Sequence, residues 1–97
     1  MAIVIVDDTT FSLEVIKAFL IAADYLDVIA VKSARELYQL VDGYSDRGIV
    51  EVDLILMDII MPDVDGIEAC RNIKKRAWLA DVPVIMVTAT KIGRAHV

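Results

Sequence analysis

A single cysteine, Cys70, stands in the whole chain, so no internal disulfide can form and a reducing cytoplasm is the expected setting. An excess of positive charge is missing as well: 10 lysines and arginines against 15 aspartates and glutamates leave a net charge of −5. A phosphate backbone demands a basic face, so this segment is not expected to touch nucleic acid directly. Charges interrupt every apolar stretch before it reaches the length of a membrane span, and no secretory leader precedes the first hydrophobic run. Internal repeats and low-complexity tracts are also lacking. A cytoplasmic location with no membrane partner follows as the expectation.

What is present is a hydrophobic fraction of 58% and a mean hydropathy of +0.61 in only 97 residues. That suits one small domain built from buried strands and amphipathic helices. Strand and helix alternate along the chain. Ala2-Ile3-Val4-Ile5-Val6 reads as a strand, followed by a helix with an apolar face of Ile16, Phe19, Leu20 and Ala23, capped by Thr9 or Thr10. Val28-Ile29-Ala30-Val31 is a second strand. Ser33 and Glu36 then form a capping box ahead of Leu37, Leu40, Val41 and Tyr44 on one helical face. The stretch from Asp42 to Gly48 reads as a loop.

A third strand runs through Leu54-Ile55-Leu56-Met57 to Asp58. A turn follows at Met61-Pro62-Asp63-Val64-Asp65-Gly66, in which Gly66 is expected at positive φ. Asp65 and Glu68 cap the next helix, whose expected inward stripe is Ile67, Cys70 and Ile73, with Cys70 a small core residue. Trp78 and Leu79 cover the end of that helix, and Lys74, Lys75 and Arg76 read as its solvated basic end. Pro83-Val84-Ile85-Met86-Val87 is the fourth strand, with Thr88 at its end. The order β-α-β-α-β-α-β with right-handed crossovers is a doubly wound parallel α/β sheet.

That order places carboxylates. Asp7 and Asp8 close the first strand and Asp58 closes the third, and in a parallel sheet both ends lie on one edge, where ligands of open α/β sheets bind. Three like charges repel unless a cation joins them, so the pattern predicts a divalent metal held by oxygen ligands, Mg²⁺ before others. Taken singly, Asp7 and Asp8 would be unremarkable helix-start residues; Asp58 at the same edge changes that reading.

Three segments in register resemble the receiver domain of two-component response regulators, a flavodoxin-like fold: Val4 to Asp8, Leu54 to Gly66, and Val84 to Ala89. The resemblance covers residues 1 to about 90. It implies a phosphoacceptor at Asp58, which takes a phosphoryl group from a sensor histidine kinase or phosphotransfer protein. It further implies Mg²⁺ held by Asp7, Asp8, Asp58 and the backbone carbonyl of Ile60, and a hydroxyl from Thr88 to the phosphoryl group. The implied activity is a switch for an output domain of unknown kind, assisting its own phosphorylation and dephosphorylation rather than turning over a diffusible substrate.

The chain also departs from the family pattern. The loop from Asp42 to Glu51 looks longer. The family's fourth helix, its fifth strand with a phosphate-binding lysine, and its fifth helix have no counterpart here, and Lys91 is too close to Thr88 to serve as that lysine. The sheet is thus expected to be truncated after its fourth strand, with that strand's edge uncovered and apolar surface left open. Ile92 to Val97 is the peptide encoded by the start of a widely used short-read sequencing adapter, so residues 1–90 are expected to be receiver and 91–97 a non-native tail. A pseudo-receiver that binds partners without phosphorylation is the alternative. Haloacid-dehalogenase-like phosphatases need Asp-x-Asp, which Asp7-Asp8 does not supply, and a flavin phosphate would meet repulsion from the same pair.

Overall fold

In a computed structural model, which describes residues 1–48 and 51–87, four parallel strands carry three helices and one short 3-10 turn. The elements are β1 (Ala2–Val6), α1 (Thr10–Ala22), β2 (Asp27–Val31), α2 (Ala34–Asp46), β3 (Leu54–Asp58), α3 (Gly66–Lys74), the 3-10 turn Ala77–Leu79, and β4 (Val84–Val87). The strand order is β2-β1-β3-β4. The expected doubly wound α/β sheet is therefore present. Thr88, Lys91 and the tail expected to be non-native lie outside the described residues.

Right-handed crossovers explain the layering. The chain steps from β1 outward to β2, then reverses past β1 to β3 and on to β4. Reversal of direction sends α1 to one face of the sheet and α2 and α3 to the other. The register aligns Val4 with Ile55 and Ile55 with Val84, and aligns Val6 with Met57 and Met57 with Met86. Those residues form one apolar layer with Leu37, Val41, Ala69, Ile73 and Leu79, while Ile3, Ile5 and Leu13 are buried on the α1 side.

Capping sets the helix starts. Ser33 Oγ accepts from Glu36 N–H at 3.1 Å, and Asp65 Oδ1 accepts from Glu68 N–H at 2.8 Å, as the sequence spacing predicts. Thr9 occupies the N-cap of α1, but its side chain makes no capping bond. The α1 end is closed by Asp24 at φ 74°: Asp24 N–H reaches Ile21 O and Tyr25 N–H reaches Leu20 O, a Schellman arrangement with aspartate where glycine is usual.

Several expectations are corrected. Residues 42–46 are not a loop: α2 continues through Gly43 to Asp46, with Arg47 as its C-cap, and Gly48 just beyond provides the left-handed stop at φ 72°. Tertiary ties hold that extra turn, because Arg76 binds Asp42 through Nε–Oδ1 at 2.7 Å and Nη2–Oδ2 at 2.8 Å, and Tyr44 packs on the core. The inward residues of α1 are Ser12 and Leu13, with Ile16 and Leu20 half-buried, whereas Phe19 is 73% exposed and Ala23 is also outside. In α3 the buried positions are Gly66, Ala69 and Ile73; Cys70 is half-buried and Ile67 is exposed.

The basic end of α3 is not simply solvated. Lys74 Nζ donates to the carbonyls of Leu79, Ala80 and Val82, and the Arg76 guanidinium lies 5.2 Å over the Tyr38 ring. The hydrogen bond from Arg76 holds the Asp42 carboxyl below its ordinary pKa.

Candidate functional site

The carboxyl edge of the sheet gathers the three aspartates the sequence singles out. Asp7 follows β1 directly and stays in the ladder, its N–H donating to Val31 O at 3.1 Å. Its side chain folds back to accept the Thr9 N–H at 2.9 Å, closing the turn into α1. Asp7 and Asp58 are buried and Asp8 is exposed. Asp58 is the last residue of β3, fixed between β1 and β4, so its position is set by the sheet rather than by a loop. One carboxylate oxygen from each of Asp7, Asp8 and Asp58 lies within 4.8 Å of the others.

Such proximity has an energetic consequence. Two ionised carboxylates about 4 Å apart repel by roughly 4 kcal/mol at an effective dielectric near 20. An all-oxygen anionic cluster of this kind matches the donor preference of a hard divalent cation. Burial of two members and exposure of the third leave the cluster open on one side.

Gly66 shapes the neighbouring turn. A Cβ there would run into the Asp58 carbonyl and come 2.9 Å from Ile59 Cα, and its N–H donates to Ile59 O. Its φ is not positive, so the sequence expectation is corrected: close backbone approach, not a left-handed conformation, demands glycine here. Ile60, whose carbonyl the resemblance implicates, lies in this turn and is 53% exposed.

Sequence reasoning did not single out Asp63. Its Oδ2 accepts from Arg35 N–H at 3.0 Å, and its Oδ1 from Val64 N–H at 2.9 Å and Ala34 N–H at 3.4 Å. Desolvation works to raise its pKa, but those donors together outweigh it and hold the carboxyl below its ordinary value. Asp53 was missed as well. Its Oδ2 accepts from Ala2 N–H at 2.7 Å and its N–H donates to Ala2 O at 2.9 Å, locking the start of β1 to the approach of β3. Thr88 lies outside the described residues.

A parallel α/β sheet with an acidic trio at its carboxyl edge is the architecture expected of a receiver domain, and the comparisons place the chain in that class. The sequence pattern of the response regulator receiver domain matches residues 3–95, and the chain belongs to that family. A curated relative, the DNA-binding dual master transcriptional regulator RpaA of Synechocystis sp., is 30% identical over 70 residues; the match takes in 69% of this chain and 29% of the relative. The receiver domain of the histidine kinase CKI1 from Arabidopsis thaliana, crystallised with Mg²⁺ and BeF₃⁻, superposes with a TM-score of 0.78 at 30% identity. That match covers 91% of this chain and 65% of the plant chain. The N-terminal domain of a response regulator receiver protein from Methanoculleus marisnigri gives a TM-score of 0.73 at 31% identity, covering 91% and 66%. The chain thus spans less than two thirds of the length of the first curated relative and of the first solved neighbour it matches. Receiver domains are signalling switches that work with histidine kinases or phosphotransfer proteins and with output domains. Among the described residues no helix is long and apolar enough to cross a membrane.

Proposed function

We propose that this chain is the phosphoacceptor receiver of a cytoplasmic two-component system, with Asp58 taking the phosphoryl group. The observation that carries the reading is the meeting of Asp7, Asp8 and Asp58 within 4.8 Å at the carboxyl ends of β1 and β3. An Asp58 carboxylate oxygen attacks phosphorus on the phosphohistidine of a partner kinase or phosphotransfer protein. The P–N bond breaks, the imidazole leaves, and Asp58 carries an acyl phosphate. Asp58 closes β3 and is paired in register with Val87 of β4, so the nucleophile is oriented before the donor arrives.

Mg²⁺ fits the donor set and would be held by Asp7, Asp8 and Asp58, with the Ile60 backbone carbonyl as the further ligand. When bound it offsets the charge of the trio and of the incoming phosphoryl oxygens. Asp7 also ties the start of α1 through Thr9, so the cluster and the first helix share one anchor. Thr88 is proposed to donate its hydroxyl to the phosphoryl group and so to report phosphorylation to an output domain.

Incubation with Mg²⁺ and a small phosphodonor such as acetyl phosphate tests the reading. One phosphoryl mass should be added, and Asp58→Asn should take up none. Labelling that persists in Asp58→Asn defeats the assignment, as does its absence in a form of the protein that carries the complete receiver domain.

A further inference from the structure

The turn between β3 and α3 needs an anchor that the receiver reading does not supply. Its two ends are fixed, one by the β3 ladder at Asp58 and the other by Gly66 against the Asp58 and Ile59 backbone. Between them Ile60, Pro62, Asp63 and Asp65 are exposed, Met61 is buried, and Val64 is partly buried against the core. Packing therefore grips the turn at Met61 and Val64 and leaves the exposed side chains, that of Ile60 among them, in solvent. Asp63 gives its crest a polar anchor, accepting one N–H from within the turn, Val64, and two from the first turn of α2, Ala34 and Arg35. The α2 terminus does not depend on Asp63 alone, because Ser33 accepts the Glu36 N–H independently. Ser33 thus serves the helix, whereas Asp63 serves the helix and the turn together.

We propose that Asp63 is a positioning residue: by tying the β3–α3 turn to the start of α2, it holds the segment carrying Ile60 in the form in which the Asp7–Asp8–Asp58 cluster takes up a divalent cation. This inference rests on the receiver reading of the cluster. A carboxylate suits the role because the amide-rich start of a helix favours negative charge, and its two oxygens can accept all three donors, Oδ1 bridging the turn and α2 while Oδ2 takes the second α2 N–H. Asparagine keeps one acceptor oxygen and alanine keeps none.

Mg²⁺ titration of the 97-residue chain, followed by amide NMR shifts and paired with thermal unfolding, separates positioning from mere stabilisation. Asp63→Ala should weaken Mg²⁺ by about 10-fold, the low end for losing a group that orients a metal ligand, with Asp63→Asn in between. Ser33→Ala should lower the Tm yet leave Mg²⁺ affinity unchanged. If Asp63→Ala does not fold, Asp63→Asn carries the comparison with Ser33→Ala. Unchanged affinity in the Asp63 variants overturns the proposal, as does a loss in Ser33→Ala that matches theirs. Absence of saturable Mg²⁺ binding in the unaltered chain would instead bring down the receiver reading, and this inference with it.

Discussion

Among the described residues, the two faces of the sheet are covered to different degrees. Under α2 and α3, Val4, Val6, Ile55 and Met57 are fully covered, and polar ties close the helix ends: Ser33, Asp63 and Asp65 at the starts, Lys74 and the Arg76–Asp42 pair at the finishes. Among the described residues the other face is covered by α1 alone. There Leu54 and Leu56 are only half-buried, Ile85 is 52% exposed, and Phe11 and Phe19 of α1 point outward at 76% and 73%. Helix chemistry follows the same division. α3 carries Glu68 in its first turn and Arg71 and Lys74 in its last, matching its dipole, while α1 has no acidic residue in its first turn and no basic one in its last. Both faces have closed helix ends, α1 through the Asp7–Thr9 turn and its Asp24 stop, so what separates them is how much helix covers the strands.

The largest expected effect tests the faces directly. Ile55→Ala, on the closed face, should lower unfolding free energy by about 3 kcal/mol, whereas Ile85→Ala, on the open face, should lower it by well under about 1 kcal/mol. Urea titration of both variants measures the contrast, and equal losses would erase it. Gly66→Ala comes next, at about 2 kcal/mol, because the added methyl meets backbone that cannot yield. The same titration checks it, and a neutral result would mean the β3–α3 turn is softer than its contacts imply.

Arg76→Ala should cost about 1 kcal/mol, combining a partly exposed ion pair with lost packing on Tyr38. This pair also carries a pH dependence. Asp42 and Asp63 both have folded pKa values below their ordinary ones. Their contribution is fully present above the unfolded-state carboxylate pKa of about 4 and is lost as pH falls through the lower folded values. Acid titration of Arg76→Ala should therefore show a shallower loss of stability below about pH 4 than the parent. Smallest of all, Phe19→Ser should change stability by no more than about 0.5 kcal/mol while reducing self-association, read by sedimentation against concentration.

What could be read in the sequence tracks how local its cause is. The ends of β1 and β3 were legible because apolar runs stop at aspartate, and the Ser33 and Asp65 caps because their partners sit three residues on. The family and its fold were legible because the motifs follow in order. The facing side of α1 was not, since phenylalanine, leucine, isoleucine and valine surround that helix and periodicity selects no side. The last turn of α2 was hidden for a different reason: its support, Arg76, arrives 34 positions later and outweighs the local discouragement of Gly43. Asp63 reads locally as an ordinary turn carboxylate, and its α2 partners lie 28 and 29 positions back. The acidic trio itself was legible only through topology, and local turn chemistry singled out Gly66 for the wrong reason, since its need for glycine comes from the Asp58 and Ile59 backbone.

The strand order has a temporal meaning too. β1 meets β2 through one edge and β3 through the other, so a chain emerging from the ribosome can zip β1, α1 and β2 together long before β3 exists. During that interval Asp7 and Asp8 are an ordinary acidic pair beside an open template edge. The latch between Ala2 and Asp53, spanning 51 positions, marks the moment the template is filled, and Asp58 then reaches its neighbours within a few further residues. No single element of the fold carries the acidic cluster, so the cluster exists only once β3 has docked beside β1.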